Sequence, residues 1–528
     1  MLLTQGLPIG DFDDWDHILA AQDIPYPTLL KNFFTPWSIS EHWTGQFDRI
    51  NEVTTRRIVL TLVLKTIAVV FGLQFLPFFI FSKALFFAAT AALFFYFLHE
   101  VTQSRLLTVV GTLFYFLVPA HYPHLFWVTD PITMVHTLVL IAIFAFYKLQ
   151  GDAKHPAFLF AVLLAAGWTA MKTKEPAVTL PLVIGLYTLF HLSSKSLSLN
   201  KKLLFLALAG LLVFQLVPIF HLKSGGTILT NFKWETLKRM VWRNYECGYE
   251  NEPASAFFSL DHIWPASIAR TFTGPALWML IAFTVLYILT RLRGKVAPEH
   301  RFFSHPLIKV SALWVCIELY FMGKFQPDPR YFSGTMIPLT LLSLRLIQSC
   351  VRSFPQWKIG ILVLFLATYG WAIYENFDHI RWLRLHIGQR NKRLFETASL
   401  IYKQIAPPEK VSRRSIGLFY TAQYFPEPAH PHLKQFLFWM PPELGYADWS
   451  KSSQKTIEEF EKFAQQGAVF YADYEDLAMP QDPRMKLIGT ISGINESSVF
   501  ETVARAFKRK GPGRLRVYQW VGLSEARV

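Results

Sequence analysis

Residues 75–98 read Phe-Leu-Pro-Phe-Phe-Ile-Phe-Ser-Lys-Ala-Leu-Phe-Phe-Ala-Ala-Thr-Ala-Ala-Leu-Phe-Phe-Tyr-Phe-Leu, with Lys83 the single charge in the run. As a helix this stretch is about 36 Å long, enough to cross a hydrocarbon core of about 30 Å. It lacks the period-two alternation of a barrel strand, so a helix is the way its backbone satisfies itself in lipid. Further apolar stretches follow near 106–120, 131–148, 157–171, 176–192, 203–222, 272–292, 307–323, 331–349 and 358–375. The run 58–71 is broken by Lys65 and spans roughly 21 Å as a helix. It reads as a helix lying at or dipping into the interface.

Composition agrees. The chain has 528 residues, 52% hydrophobic and 17% charged, with 48 phenylalanines; soluble domains carry about a quarter charged residues. A formal charge of +15 suits anionic headgroups or lipid phosphates. The basic residues lie in loops between spans and form no continuous stripe, which argues against nucleic acid. Of three cysteines, Cys247 stands in a loop and Cys316 and Cys350 fall in or at the end of apolar runs, so no disulfide framework is implied.

The loops orient the bundle. Starting the 75–98 span outside places Arg105, Lys148, Lys154, Lys195, Lys201, Lys202, Arg291, Arg293, Lys295, Arg301, Arg352 and Lys358 in the cytoplasm. The opposite short loops hold Lys172, Lys174, Lys324 and Arg330, an asymmetry that follows the positive-inside rule. The 223–271 loop, with Lys233, Lys238, Arg239 and Arg243 among its basic residues, falls outside and dissents mildly. Its Phe232–Arg243 portion has the makings of a basic interfacial helix. By parity the N-terminal segment and the C-terminal tail are extracytoplasmic as well. Met-Leu-Leu-Thr-Gln is no signal peptide, so a first span upstream of Met1 is expected. If 58–71 itself spans, the N-terminal segment is cytoplasmic instead.

These readings divide the chain into an extracytoplasmic acidic segment (1–57), a multi-spanning domain of about ten spans (58–375) and an extracytoplasmic domain (376–528). In the last, Arg381–Gln404 and Gln454–Gln466 read as helices, and Gly467–Tyr474 and Arg514–Val521 as strands. The expected fold class is an all-α polytopic membrane domain followed by a small soluble α/β domain.

Several polar motifs interrupt this apolar body. Asp11-Phe12-Asp13-Asp14-Trp15-Asp16-His17 packs four carboxylates and an imidazole together. On a helix Asp13, Asp16 and His17 share a face. One ionised carboxylate beside a substrate hydroxyl can act as general base. Helix N-termini also recruit such acids as caps. Further on come Thr55-Arg56-Arg57, the turn Met171-Lys172-Thr173-Lys174-Glu175-Pro176-Ala177, and Asp328-Pro329-Arg330-Tyr331-Phe332 leading to Ile337-Pro338. Charge between two spans is costly and often functional, though Lys174 and Glu175 also suit a helix-end pair. Asp130 closes a loop containing His121 and His124 and, before Pro131, also suits a helix cap.

An aromatic residue with two acids, an arginine-bearing juxtamembrane stretch, a Lys-Glu-Pro-Ala turn and an Arg-Tyr entry into a late span together resemble the GT-C glycosyltransferases. Protein O-mannosyltransferases and lipid A aminoarabinose transferases are among them. The resemblance covers roughly residues 11–350, and the absent first span departs from it.

The resemblance implies a sugar transferred with inversion from a polyprenyl-phosphate donor to a lipid, glycan or protein acceptor outside the cytoplasm. Asp13 would be the catalytic base with Asp14 beside it. Arg330, Lys172, Lys174 and Arg57 would face the donor phosphate, and Asp130 and His17 the acceptor. No metal ligand set is assigned; a divalent cation is left open, since members differ in requiring one. The alternative for any chain of many spans is a transporter or lipid flippase. Such proteins place their charges at mid-bilayer between repeated halves, whereas here charges cluster at one mouth and no halves repeat.

Overall fold

The computed structural model describes residues 24–35, 57–71, 75–116, 131–192, 198–214, 302–322, 332–367, 415–420, 467–474, 484–491 and 515–521, with a few single positions besides. The chain divides into two compact units, the first mainly Ala20–Leu125 and Thr129–Arg381 and the second mainly Trp382–Val528 with Leu2–Leu19 and Phe126–Val128.

The first unit is helical: α1 (Tyr26–Phe34), α2 (Ile58–Phe71), α3 (Phe75–Thr102), α4 (Arg105–Phe116), α5 (Ile132–Gln150), α6 (Pro156–Met171), a 3-10 turn (Glu175–Val178), α7 (Thr179–Phe190), α8 (Leu199–Phe214), α9 (Pro306–Met322) and α10 (Phe332–Ser353). The apolar helix Pro355–Ala367, α11, follows. The helices coincide with the apolar runs of the sequence to within a few residues wherever the runs are described; 272–292 and the ends of 203–222 and 358–375 lie mostly outside the described residues. Among the described residues three are long and apolar enough to cross a membrane, in α3, α5 and α10. The others run over nine to seventeen described residues. Helix α1 was not read from the sequence at all.

One apolar core runs through the bundle, with Phe94, Phe114, Leu140, Phe146, Leu163, Ile184, Leu212, Met336 and Leu344 all buried. Helices α5 and α10 are enclosed by neighbours over most of their length, while α3 exposes Phe78, Phe81, Leu85 and Phe95. Lipid supplies no hydrophobic drive between helices, so close approach and hydrogen bonds must hold them. Both are present. A Cβ on Gly111 would stand 3.0 Å from Leu98 Cδ1 and closer still to Leu344 Cδ1, so the glycine lets α4 settle against α3 and α10. The hydroxyls of Thr90 on α3 and Thr137 on α5 lie 2.8 Å apart, and Thr137 reaches the Phe86 carbonyl at 2.8 Å.

Arg345, buried in α10, ties three elements. Its Nη1 donates to the Val101 carbonyl (3.3 Å) and Gln348 Oε1 (3.1 Å), and its Nη2 to Ser304 Oγ (2.9 Å). An arginine suits this place because its rigid fork of donors serves several acceptors at once.

The second unit contains a four-stranded sheet of β1 (Ser415–Tyr420), β2 (Gly467–Tyr474), β3 (Met485–Ile491) and β4 (Leu515–Trp520) in the order β1-β2-β4-β3. β1 and β2 are parallel, with Ser415 opposite Gly467; the other pairs are antiparallel, with Phe470 opposite Gln519 and Met485 opposite Trp520. The register slips between Leu487 and Gly489, where a Cβ on Gly489 would meet Leu400 Cδ1 at 2.6 Å. The bulge and the glycine admit the leucine together. Strands β2 and β4 match the sequence reading; β1 and β3 were not anticipated.

Candidate functional site

The site is built where helices of alternating direction bring their ends together. α6 ends at Met171, α7 starts at Thr179, α5 starts at Ile132, α9 ends at Met322 and α10 starts at Phe332. The turn Lys172–Lys174 leaves α6 through bonds from the Lys172 N–H to the Trp168 and Thr169 carbonyls and from the Thr173 N–H to Ala170 O. Both lysines are buried, Lys172 completely.

The reason Lys172 tolerates burial is visible in its partners. Its ammonium donates to the Thr35 carbonyl just past α1 and lies 6.0 Å from the centroid of the Trp168 ring. The Trp168 indole N–H donates to Phe33 O at 3.0 Å. The carbonyls at a helix C-terminus lack intrahelical partners and carry partial negative charge, and these two side chains supply what α1 lacks. Even so, desolvation pushes the Lys172 ammonium pKa down to about 8. The Lys172 carbonyl accepts from the Val59 N–H at 3.3 Å, so the start of α2, just after Arg57, lies against this turn. The Arg57 carbonyl in turn accepts from the Thr61 N–H (3.1 Å) and hydroxyl (3.2 Å).

A second group of polar side chains lies buried at the same end. Glu318 of α9 accepts from the Trp314 indole N–H at 3.0 Å, and at the head of α7 the Thr179 hydroxyl donates to the Pro176 carbonyl at 3.0 Å. A Cβ on Gly334 would stand 3.5 Å from both Glu318 Oε1 and His136 Nε2, so α10 presents bare backbone to a carboxylate and an imidazole from α9 and α5. Thr133 and Thr335 are buried beside these positions in sequence. A buried acid and a buried imidazole among apolar helices can hold a proton between them or orient a hydroxyl. Such groups are rare in membrane segments because they are expensive. Neither Glu318 nor His136 was singled out from the sequence. The available signal was an acid in Leu-Trp-Val-Cys-Ile-Glu-Leu-Tyr-Phe and a histidine in Ile-Thr-Met-Val-His-Thr-Leu-Val-Leu.

Of the residues singled out from the sequence, Arg57, Lys172 and Lys174 are therefore placed at one end of the bundle. Asp13, Asp14, His17, Asp130 and Arg330 lie outside the described residues, as does the Phe232–Arg243 stretch read as an interfacial helix. Among the described residues no group of three or more His, Cys, Asp or Glu could hold a metal ion.

No family model and no curated protein matches the chain. Solved structures do. A crystal structure of ArnT from Cupriavidus metallidurans bound to undecaprenyl phosphate is 13% identical, with a TM-score of 0.44, over 99% of this chain and 96% of that one. The same protein in the apo state is 13% identical, with a TM-score of 0.46, over 98% of this chain and 95% of that one. The chain is thus similar, along nearly its full length and at low identity, to structures of ArnT.

Proposed function

We propose that this chain is a membrane glycosyltransferase that moves a sugar from a polyprenyl-phosphate donor to an acceptor outside the cytoplasm. The observation that carries the reading is the hydrogen bond from Val59 N–H to the Lys172 carbonyl, which sets the arginine-bearing entry to α2 against the lysine turn. Two of the sequence motifs that resemble the GT-C enzymes thereby meet at one bundle end. In sequence, Asp130 comes just before the head of α5 and Arg330 just before the head of α10, both heads belonging to that same end.

In the reaction, Asp13 accepts the proton of the acceptor hydroxyl, with Asp14 beside it holding the acceptor. The acceptor oxygen bonds to the anomeric carbon from the face opposite the lipid phosphate, the carbon–oxygen bond to phosphate breaks, and configuration inverts. The departing phosphate gains negative charge, so the reaction gains most from fixed cations at that point. Arg330 suits a bidentate contact, and Lys174, Lys172 and Arg57 supply further positive charge. Asp130 and His17 fall to the acceptor side. Buried and with its ammonium given to the Thr35 carbonyl, Lys172 acts through its field.

The test is an Asp13→Asn variant of the full chain, purified and given a polyprenyl-phosphate monosaccharide together with candidate acceptors. Loss of a positioned general base costs roughly 10²–10⁴-fold, read as release of polyprenyl phosphate. Transfer at an unchanged rate removes Asp13 from the chemistry. Movement of the donor across a vesicle membrane without transfer replaces the enzyme by a transporter.

A further inference from the structure

The opposite end of the bundle carries a cavity that the proposed transfer does not use. It has a volume of about 770 Å³ and is lined by the end of α5, the α5–α6 turn, the end of α7 and the start of α9. Its lining reaches Leu159 of α6, thirteen residues before Lys172, about 20 Å of helix. Its walls hold three ammonium groups, Lys148, Lys154 and Lys309, against one carboxylate, Asp152.

The cations are held differently. Lys148 is partly neutralised: it pairs with Glu100 at 3.8 Å and lies 5.3 Å from the centroids of the Tyr96 and Tyr147 rings. Lys154 is exposed and makes no hydrogen bond or ion pair among the described residues. Lys309 is set by a chain of neighbours. Its ammonium donates to His191 Nε2 at 3.4 Å, while His191 Nδ1 donates to the Tyr187 carbonyl at 2.8 Å. With Nδ1 donating to the carbonyl, Nε2 is the ring atom turned to Lys309. The His191 ring stacks on Tyr187 at 4.2 Å, and the Tyr187 hydroxyl donates to Gln150 Oε1 at 2.9 Å. The Gln150 acceptor is thereby taken, and its buried Nε2 has no hydrogen-bond partner among the described residues. One wall therefore presents a charged donor with spare N–H groups, backed by neutral groups that do not compensate its charge. Phe144 and Leu159 make the cavity apolar elsewhere.

We infer that this cavity binds the phosphate of an anionic phospholipid headgroup, with Lys154 and Lys309 as its direct ligands. A phosphodiester supplies the acceptor oxygens that the lysines lack, and an acyl chain suits the apolar wall. Basic pockets between membrane helices commonly take such headgroups. A soluble phosphate offers the same acceptor chemistry without the acyl chain. The inference stands independently of the transferase reading, because it concerns the other bundle end and is read by binding.

The experiment uses the full chain, delipidated in neutral detergent, with phosphatidylglycerol, phosphatidylcholine or inorganic phosphate added and occupancy measured by native mass spectrometry. Phosphatidylglycerol is expected to bind at least tenfold more tightly than phosphatidylcholine. Each lysine near such a phosphate is worth about fivefold, so a Lys154→Gln/Lys309→Gln variant is expected to lose roughly 25-fold. The Lys154→Arg/Lys309→Arg variant, of like charge, keeps the preference and controls for folding. Equal binding of the two lipids, or undiminished binding by the glutamine variant, overturns the site. Displacement of phosphatidylglycerol by millimolar inorganic phosphate overturns the lipid assignment.

Discussion

The two ends of the helix bundle treat lysine in opposite ways. At one end Lys172 is sealed from water, its ammonium given to a backbone carbonyl beyond α1 and set near an indole ring. At the other, Lys154 is exposed and Lys309 half-buried around an open cavity. Residue type does not decide the role; the local supply of acceptors does. A sealed cation helps hold the fold and lends its field, whereas a cation with unspent donors can take a ligand. Variants at the sealed end should therefore be read in stability and those at the open end in binding.

The largest effect is expected from Glu318→Ala at the sealed end. It leaves the Trp314 indole N–H without its acceptor and opens a void, together about 2–4 kcal/mol, measured by thermal or denaturant unfolding in detergent. Glu318→Gln keeps an acceptor oxygen and should recover most of the loss. Equal destabilisation by both would mean that the charge itself, rather than the hydrogen bond, holds α9 in place. Gly334→Val comes next. An added Cβ alone sits in ordinary contact with Glu318 and His136, so Gly334→Ala should be tolerated. Further methyl groups must enter between carboxylate and imidazole, at about 1–3 kcal/mol. Gly334→Val folding as stably as the parent would show the gap to be wider than drawn.

Lys172 itself should show a smaller, pH-dependent effect. Its pKa falls from 10.5 to about 8 on folding because burial disfavours the ammonium. Between those values the unfolded chain binds more protons, so stability rises with pH across the window. Lys172→Met should flatten that rise and, at neutral pH, cost about 1 kcal/mol or less, since the lost hydrogen bond and the relieved charge oppose each other. An unchanged alkaline rise in the variant would assign it to another group.

Much of the membrane unit was legible because lipid leaves the chain few choices: a long apolar run must be a helix, and the runs fall where the helices do. The run 176–192 becomes a helix of only twelve residues (Thr179–Phe190), because Glu175–Val178 before it turns as a 3-10 segment. Helix α1 was hidden because Tyr-Pro-Thr-Leu-Leu-Lys-Asn-Phe-Phe is short and follows a proline; its C-terminal carbonyls are satisfied from α6, far away in sequence. The two lysines of the turn could be singled out as interrupted apolar sequence, yet the Thr35 acceptor could not, because nothing local encodes a contact across 137 positions. Glu318 and His136 failed for the opposite reason. Each is one polar residue in an apolar run, and only the packed bundle shows that they flank the same glycine. In the second unit β2 and β4 carry plain strand composition, while β3, Met-Lys-Leu-Ile-Gly-Thr-Ile, has a glycine where the register slips.

The smallest effect belongs to the open end. His305 precedes α9, its Nδ1 accepting from the Leu307 N–H at 3.2 Å and its ring tilted against Tyr147 at 5.7 Å. A protonated ring would lose that acceptor and place a cation at a helix N-terminus, where positive charge is disfavoured. Burial, with Arg345 adding to it, lowers its pKa from 6.5 to about 4. Between those values the unfolded chain again holds the extra proton, so stability falls as pH drops through the window. His305→Asn keeps an acceptor for the Leu307 N–H and cannot titrate, so it should lose less stability than the parent between pH 6.5 and 4. The gain is small because the ring is partly in water. Identical acid profiles for parent and variant would place the acid sensitivity elsewhere. A profile shifted at the alkaline side instead would break the separation of the two ends, since only Lys172 is assigned to that window.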